Sequence, residues 1–164
     1  MLPRRSNGDG AAPLRKFLVV VDETPECLNA IRFAARRAQK TGGGLQMLFI
    51  LRPEEFQHWI GVGEVMRQEA REAAEKRFQD VAAKLTENVG IMPEFVIREG
   101  EAVAEVLAQC RDDPEIGVLV LGAATENGPG PLVSTLVGKL AGQMPVPVTV
   151  VPGGLSREQV IALC

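Results

Sequence analysis

Five short apolar runs alternate along the chain with longer stretches of helical periodicity, and few folds satisfy that alternation. The runs are KFLVVV (Lys16–Val21), LQMLFIL (45–51), PEFVIR (93–98), IGVLVL (116–121) and VPVTVV (146–151). Short, near-continuous apolar runs are expected of strands buried on both faces. The third run is weaker, and Pro93 places it near a sheet edge. A βαβαβαβαβ order with buried strands implies an α/β fold: an open five-stranded parallel sheet, helices on both faces and right-handed crossovers.

The intervening stretches read as helices. Thr24 suits an N-cap and Pro25 a first turn, after which Leu28, Ile31, Ala34, Ala35 and Ala38 recur at helical spacing until Gly42-Gly43-Gly44. A loop over 52–63 holds Phe56, His58 and Trp59. The next helix spans 64–88, with Met66, Ala70, Ala74, Phe78, Val81 and Leu85 as its apolar stripe and a mixed charge run that reads as a solvated face. Gly100-Glu101 leads into a helix carrying Val103, Val106, Leu107 and Cys110, ended by Asp112-Asp113-Pro114. Another helix is predicted over 132–143. A last one, over 156–163, starts at a Ser156 cap, and its Val160, Ile161 and Leu163 must cover the domain surface or a partner subunit. The expected organisation is a flexible lead-in over 1–15, an α/β domain over 16–152 and a short C-terminal helix over 153–164.

With 164 residues, one domain can bury a core without staples. A net charge of −3 with no basic patch argues against nucleic acid. Cys27, Cys110 and Cys164 are far apart, and His58 is the only histidine, so no zinc-type spacing exists. Reduced thiols in a cytoplasmic protein are the simplest account. No apolar run approaches the length of a membrane span.

Open α/β sheets bind ligands at the carboxyl ends of the strands, where strand order reverses. With the first strand central, that point lies between strands one and four. The flanking loops are then Asp22–Thr24 and 122–131. Asp22 reads either as an acceptor for an adenine amino group or ribose hydroxyl, or as a loop carboxylate. Gly122 allows close backbone approach, Gly128 and Gly130 alternate with Pro129 and Pro131, and Ser134 and Thr135 offer hydroxyls near a helix start. The same loop reads equally as a structural turn. Glu126 would repel a phosphate, and the two prolines remove N–H donors. His58 falls at the same end of the sheet, either as a donor or base for a ligand or packed beside Phe56 and Trp59. Cys110 sits on an apolar stripe and reads as core; Cys164 reads as exposed, without an activating neighbour. No GxGxxG, P-loop or GxSxG motif is present, and no catalytic or metal-binding set emerges.

Four segments together resemble the universal stress protein family: FLVVVDETPECLNAIRFAARRAQKTGGGLQMLFIL (17–51), REGEAVAEVL (98–107), IGVLVLGAA (116–124) and MPVPVTVVP (144–152). The resemblance implies strand order 3-2-1-4-5 and a homodimer built through the last strand, here Val146, Val148 and Val150. It also implies ATP binding through Gly-x2-Gly-x9-Gly-(Ser/Thr) after strand four. Gly122 matches the first glycine. Thr125 stands at the second, and the third falls near Ser134-Thr135, where no glycine exists. Asp22 matches the family's adenine-side acid and Ile50 its strand-two backbone contact. Three readings follow from it. The chain is a dimeric stress-response regulator binding ATP, AMP or another adenine nucleotide with weakened phosphate contacts, a dimeric interaction module without nucleotide, or, least supported, a slow ATP hydrolase.

Overall fold

The computed structural model describes residues 15–53 and 63–164. Residues 1–14 of the lead-in expected over 1–15, and the aromatic loop with Phe56, His58 and Trp59, lie outside the described residues. Five parallel strands form one sheet in the order β3-β2-β1-β4-β5. They are β1 (Lys16–Val21), β2 (Gly44–Leu51), β3 (Glu94–Glu99), β4 (Ile116–Ala123) and β5 (Val148–Pro152). The helices are α1 (Glu26–Thr41), α2 (Gly63–Asn88), α3 (Ala102–Asp112), the single turn α4 (Pro131–Val133) and α5 (Arg157–Leu163). Sequence and structure agree on β1 residue for residue, because charged and polar neighbours bound the continuous apolar run.

Alternate residues of each strand serve two cores. Val19, Val21, Met47 and Phe49 pack against α1, α2 and α5. Leu18, Val20, Leu48, Leu119 and Leu121 pack against α3 and the segment after α4, through Val106, Cys110, Val133 and Leu136. Cys110 is therefore core, as its stripe position implies. Tilted ring contacts link Phe49 to Phe95 and Phe95 to Phe78, fastening α2 over β2 and β3.

Three local expectations are corrected. Thr24 does not cap α1. The helix starts one residue after Pro25, at Glu26, and the Thr24 N–H and hydroxyl both turn back to Asp22 Oδ1. An aspartate that closes on its own backbone two residues ahead outcompetes the cap. The helix over 132–143 is not one α-helix. After one α-turn it widens into a π-helix over Ser134–Lys139, seen in the Leu140 N–H bond to the Thr135 carbonyl at 2.8 Å, and ends as a 3-10 turn over Ala141–Gln143. Finally, β5 begins at Val148 rather than 146. Pro147 has no N–H to give the sheet, though its carbonyl accepts from Leu119 N at 2.9 Å. Val146 is buried in the second core outside the strand.

α5 docks back on α1. Ser156 Oγ accepts from Gln159 N and Gln159 Oε1 accepts from Ser156 N, a reciprocal cap. Asn29, buried on α1, donates from Nδ2 to the carbonyls of Pro152 and Leu155 at 3.1 and 2.9 Å, holding the turn before α5. Val160 is fully buried while Leu163 is exposed, so the apolar face of α5 covers the domain surface through one residue and leaves another free. Cys164, expected exposed, is half-buried against Phe33 and α5, and burial raises its thiol pKa.

The amino ends of the strands are tied by a polar network. Lys16 Nζ reaches Glu94, Asp113 and Glu115 at 3.1, 3.1 and 2.9 Å. Gln46, 2% exposed, donates to Glu94 and Asp113 at 3.0 Å each and accepts from Gln109, which in turn accepts from Arg98. Burial alone would lower the Lys16 pKa and raise that of Asp113, but the partners outweigh it in both cases. Lys16 ends above its ordinary value and Asp113 below.

Candidate functional site

The two loops at the reversal of strand order meet over the carboxyl ends of β1 and β4. β1 hydrogen-bonds to β2 on one side and to β4 on the other, so the chain leaves these two strands in opposite directions and opens a crevice between them. Asp22 is the first residue past β1, exposed, with its carboxylate steered by Thr24. Behind it, the Cys27 thiol donates to the Val20 carbonyl at 3.7 Å and accepts from Asp22 N at 3.5 Å. Burial pushes the Cys27 pKa up to about 11, against the pull of the Asp22 N–H and of Arg77. At neutral pH it is a protonated packing group rather than a nucleophile.

Two cavities open beside Asp22. One, of about 150 Å³, is walled by Asp22, Thr24, Glu26, Arg52, Gly122 and Gly130, among others. The second, of about 380 Å³, lies over β2 and α2 and is walled by Asp22, Glu23, Ile50, Arg52, Ala70 and Arg77, among others. Leu132 borders both. The structure thus brings Asp22, Thr24, Ile50, Gly122 and Gly130 around one crevice. Gly128, Ser134 and Thr135 line neither cavity. Ser134 is exposed on the π-helix, and the Thr135 carbonyl is engaged by Leu140.

Gly122 has a structural reason of its own. A Cβ there would stand 2.5 Å from the Glu26 carbonyl oxygen, so the first turn of α1 lies directly on β4. The loop over 124–130 closes on itself through Ala124 N and the Pro129 carbonyl at 3.2 Å. Asn127, Gly128 and Gly130 take positive φ of 57°, 80° and 99°. With Pro129 and Pro131 lacking N–H groups and Ala124 N already bonded, the loop has fewer free donors than a glycine-rich phosphate cradle.

Two arginines escaped the sequence reading. Arg52 follows β2 directly, a position the carboxyl-end rule could have flagged. Arg77 belongs by sequence to the solvated run on α2, yet it shares a helix face with Ala70, Ala73 and Ala74 over the strand ends. Small residues at i, i+3 and i+4 followed by a cation at i+7 are the signal: the alanines leave room and the arginine edges it. Among the described residues no group of three or more His, Cys, Asp or Glu could hold a metal ion, and no helix is long and apolar enough to cross a membrane.

A doubly wound α/β sheet with a crevice at its switch point defines a class of architecture that holds ligands at that crevice. The model of the universal stress protein family matches residues 13–152, and the chain belongs to that family. No curated protein shows significant sequence similarity to it. Among solved structures it is similar to the universal stress protein UspA from Lactobacillus plantarum, with a TM-score of 0.69, 20% identity and coverage of 86% of this chain and 99% of that one. It is also similar to a universal stress protein from Archaeoglobus fulgidus in complex with dAMP (TM-score 0.59, 15% identity, 85% and 99% covered). A third is a universal stress protein in complex with cAMP (TM-score 0.54, 15% identity, 87% and 100% covered).

Proposed function

We propose that the chain is a stress-response regulator of the universal stress type that binds an adenine nucleotide in the crevice beside Asp22. The observation that carries this reading is the convergence of two cavities on that one carboxylate, at the switch point of the sheet. The solved relatives carrying dAMP and cAMP support the ligand class. Asp22 serves as acceptor for an adenine amino group or ribose hydroxyl, with the backbone at Ile50 on the opposite wall. Thr24 holds that carboxylate in place. Gly122 and Gly130 border the smaller cavity, while Gly128, Ser134 and Thr135 line neither cavity and have no contact with the ligand on this reading. ATP, AMP and cAMP at millimolar concentration are expected to raise the melting temperature, by linkage. Asp22→Ala is expected to abolish the shift while leaving the unliganded protein folded. Absence of any shift in the wild type would overturn the reading.

The chain works as a homodimer in a cytoplasmic setting on this view. β5 is an edge strand, and beside it an apolar groove of about 500 Å³ is lined by Leu136, Val137, Met144, Val146, Pro147 and Val148. An edge with unpaired backbone groups next to an apolar groove is covered in most stable proteins. Val148→Lys is expected to shift the protein towards monomer in sedimentation or size-exclusion measurements, and an unchanged mass would remove this interface.

A second reading keeps the dimer and drops the nucleotide. It is favoured by the self-closed, proline-containing loop and by Glu126, which places a negative charge where phosphates would lie. A protein partner bound equally with and without ATP would support it.

A further inference from the structure

The walls of the crevice are unevenly charged. Asp22, Glu23 and Glu26 stand on the β1 side, and Glu126 is carried by the loop after β4. Arg52 and Arg77 stand on the β2 and α2 side. Both arginines lack an ion pair among the described residues, whereas Arg67 and Arg98 each bind two carboxylates. Arg77 is the more telling of the two. Its Nε is buried and has no hydrogen-bond partner, and elsewhere the guanidinium leans on the Cys27 thiol, a weak and neutral partner for a cation. Arg36 Nε is in the same condition on α1, but Arg36 borders none of these cavities. Three alanines flank Arg77 on the cavity wall and leave space beside it.

Resting on the adenine reading of the site, we infer that Arg77, aided by Arg52, recognises the anionic group of the ligand, which is a nucleoside monophosphate. The phosphoryl group faces β2 and α2, not the loop after β4. A planar guanidinium supplies paired N–H donors to phosphate oxygens and matches their charge. The loop after β4 offers less of both, since two of its residues are prolines without N–H, Ala124 N is already bonded and Glu126 repels. The arrangement makes side chains, rather than backbone amides, the source of phosphate affinity in this chain.

The test compares adenosine, AMP and pyrophosphate on the full chain, by calorimetry, for the wild type, Arg77→Met, Arg77→Lys and Arg52→Gln. Methionine keeps the apolar stem, and the unliganded melting temperature reports whether each variant folds. The wild type should bind AMP roughly ten- to a hundredfold more tightly than adenosine, the range of a charge-assisted hydrogen-bond pair. In Arg77→Met that ratio should fall to about one with adenosine affinity unchanged, and Arg77→Lys should recover part of it. Arg52→Gln should reduce it by a smaller factor. A ratio that survives in folded Arg77→Met overturns the inference while leaving the adenine site standing. If the wild type binds neither adenosine nor AMP, the adenine reading fails. The arginine role then rests on pyrophosphate, which must bind the wild type and not Arg77→Met; absence of that binding overturns it too.

Discussion

Gly122 illustrates how one residue can be read two ways. From sequence, a glycine at the end of β4 suggests close approach of a ligand. In the fold, the space is taken by the Glu26 carbonyl, 2.5 Å from where a Cβ would stand. The two explanations separate by experiment. Gly122→Ala is expected to destabilise the protein by about 1–3 kcal/mol, because backbone rather than a flexible side chain must move. Urea denaturation of the unliganded protein measures this, and an unchanged midpoint would return the glycine to the ligand. Residues such as Gln46 and Arg77 were illegible for a related reason. A polar residue inside an apolar run or a charged helix carries no mark of what it faces, which is set by strands and loops tens of positions away.

At the scale of elements, the apolar runs and helix punctuation suffice for the succession of strands and helices and for most boundaries, whereas the strand order comes from the family resemblance. Ser156 is an instance where the local code was complete: a serine followed three residues later by glutamine closes a reciprocal cap. Ser156→Ala is expected to cost about 1 kcal/mol, read as a lower urea midpoint. The segment after β4 was less legible. Leu132, Val133, Leu136 and Leu140 have apolar spacing that an α-helix also satisfies, so the widening to a π-helix leaves no trace in the pattern. The start of β5 was misjudged because valine and proline both favour extended backbone, whether or not a ladder forms. The arginine side of the crevice is illegible for a similar reason, since Arg77 stands within a mixed charge run that reads as a solvated face.

For the molecule as a whole, the polar network at the amino ends of the strands sets a pH window. Asp113 has a lowered folded pKa, so its contribution is present above its ordinary value of 3.8 and is lost as pH falls from there through the folded value. Lys16 has a raised pKa, so its contribution is complete below 10.5 and is lost as pH rises through the folded value. Asp113→Asn is expected to lower stability at neutral pH and to converge with the wild type near pH 2, where the Asp113 carboxyl is protonated and as neutral as the amide. Urea midpoints from about pH 2 to pH 7 check this, and parallel curves would assign the network no linkage.

That network also carries information of another sort. β1, β2 and β4 are apolar on both faces, and hydrophobicity alone distinguishes poorly between pairings that differ by a shift along the strand. Gln46 stands opposite both Leu18 and Glu94 in the native pairing, and only there can it reach Asp113 and Gln109 together. Any sliding of β2 would bury an amide without partners. The network thus favours the one alignment in which that amide is satisfied over slid alignments that would bury as much apolar surface.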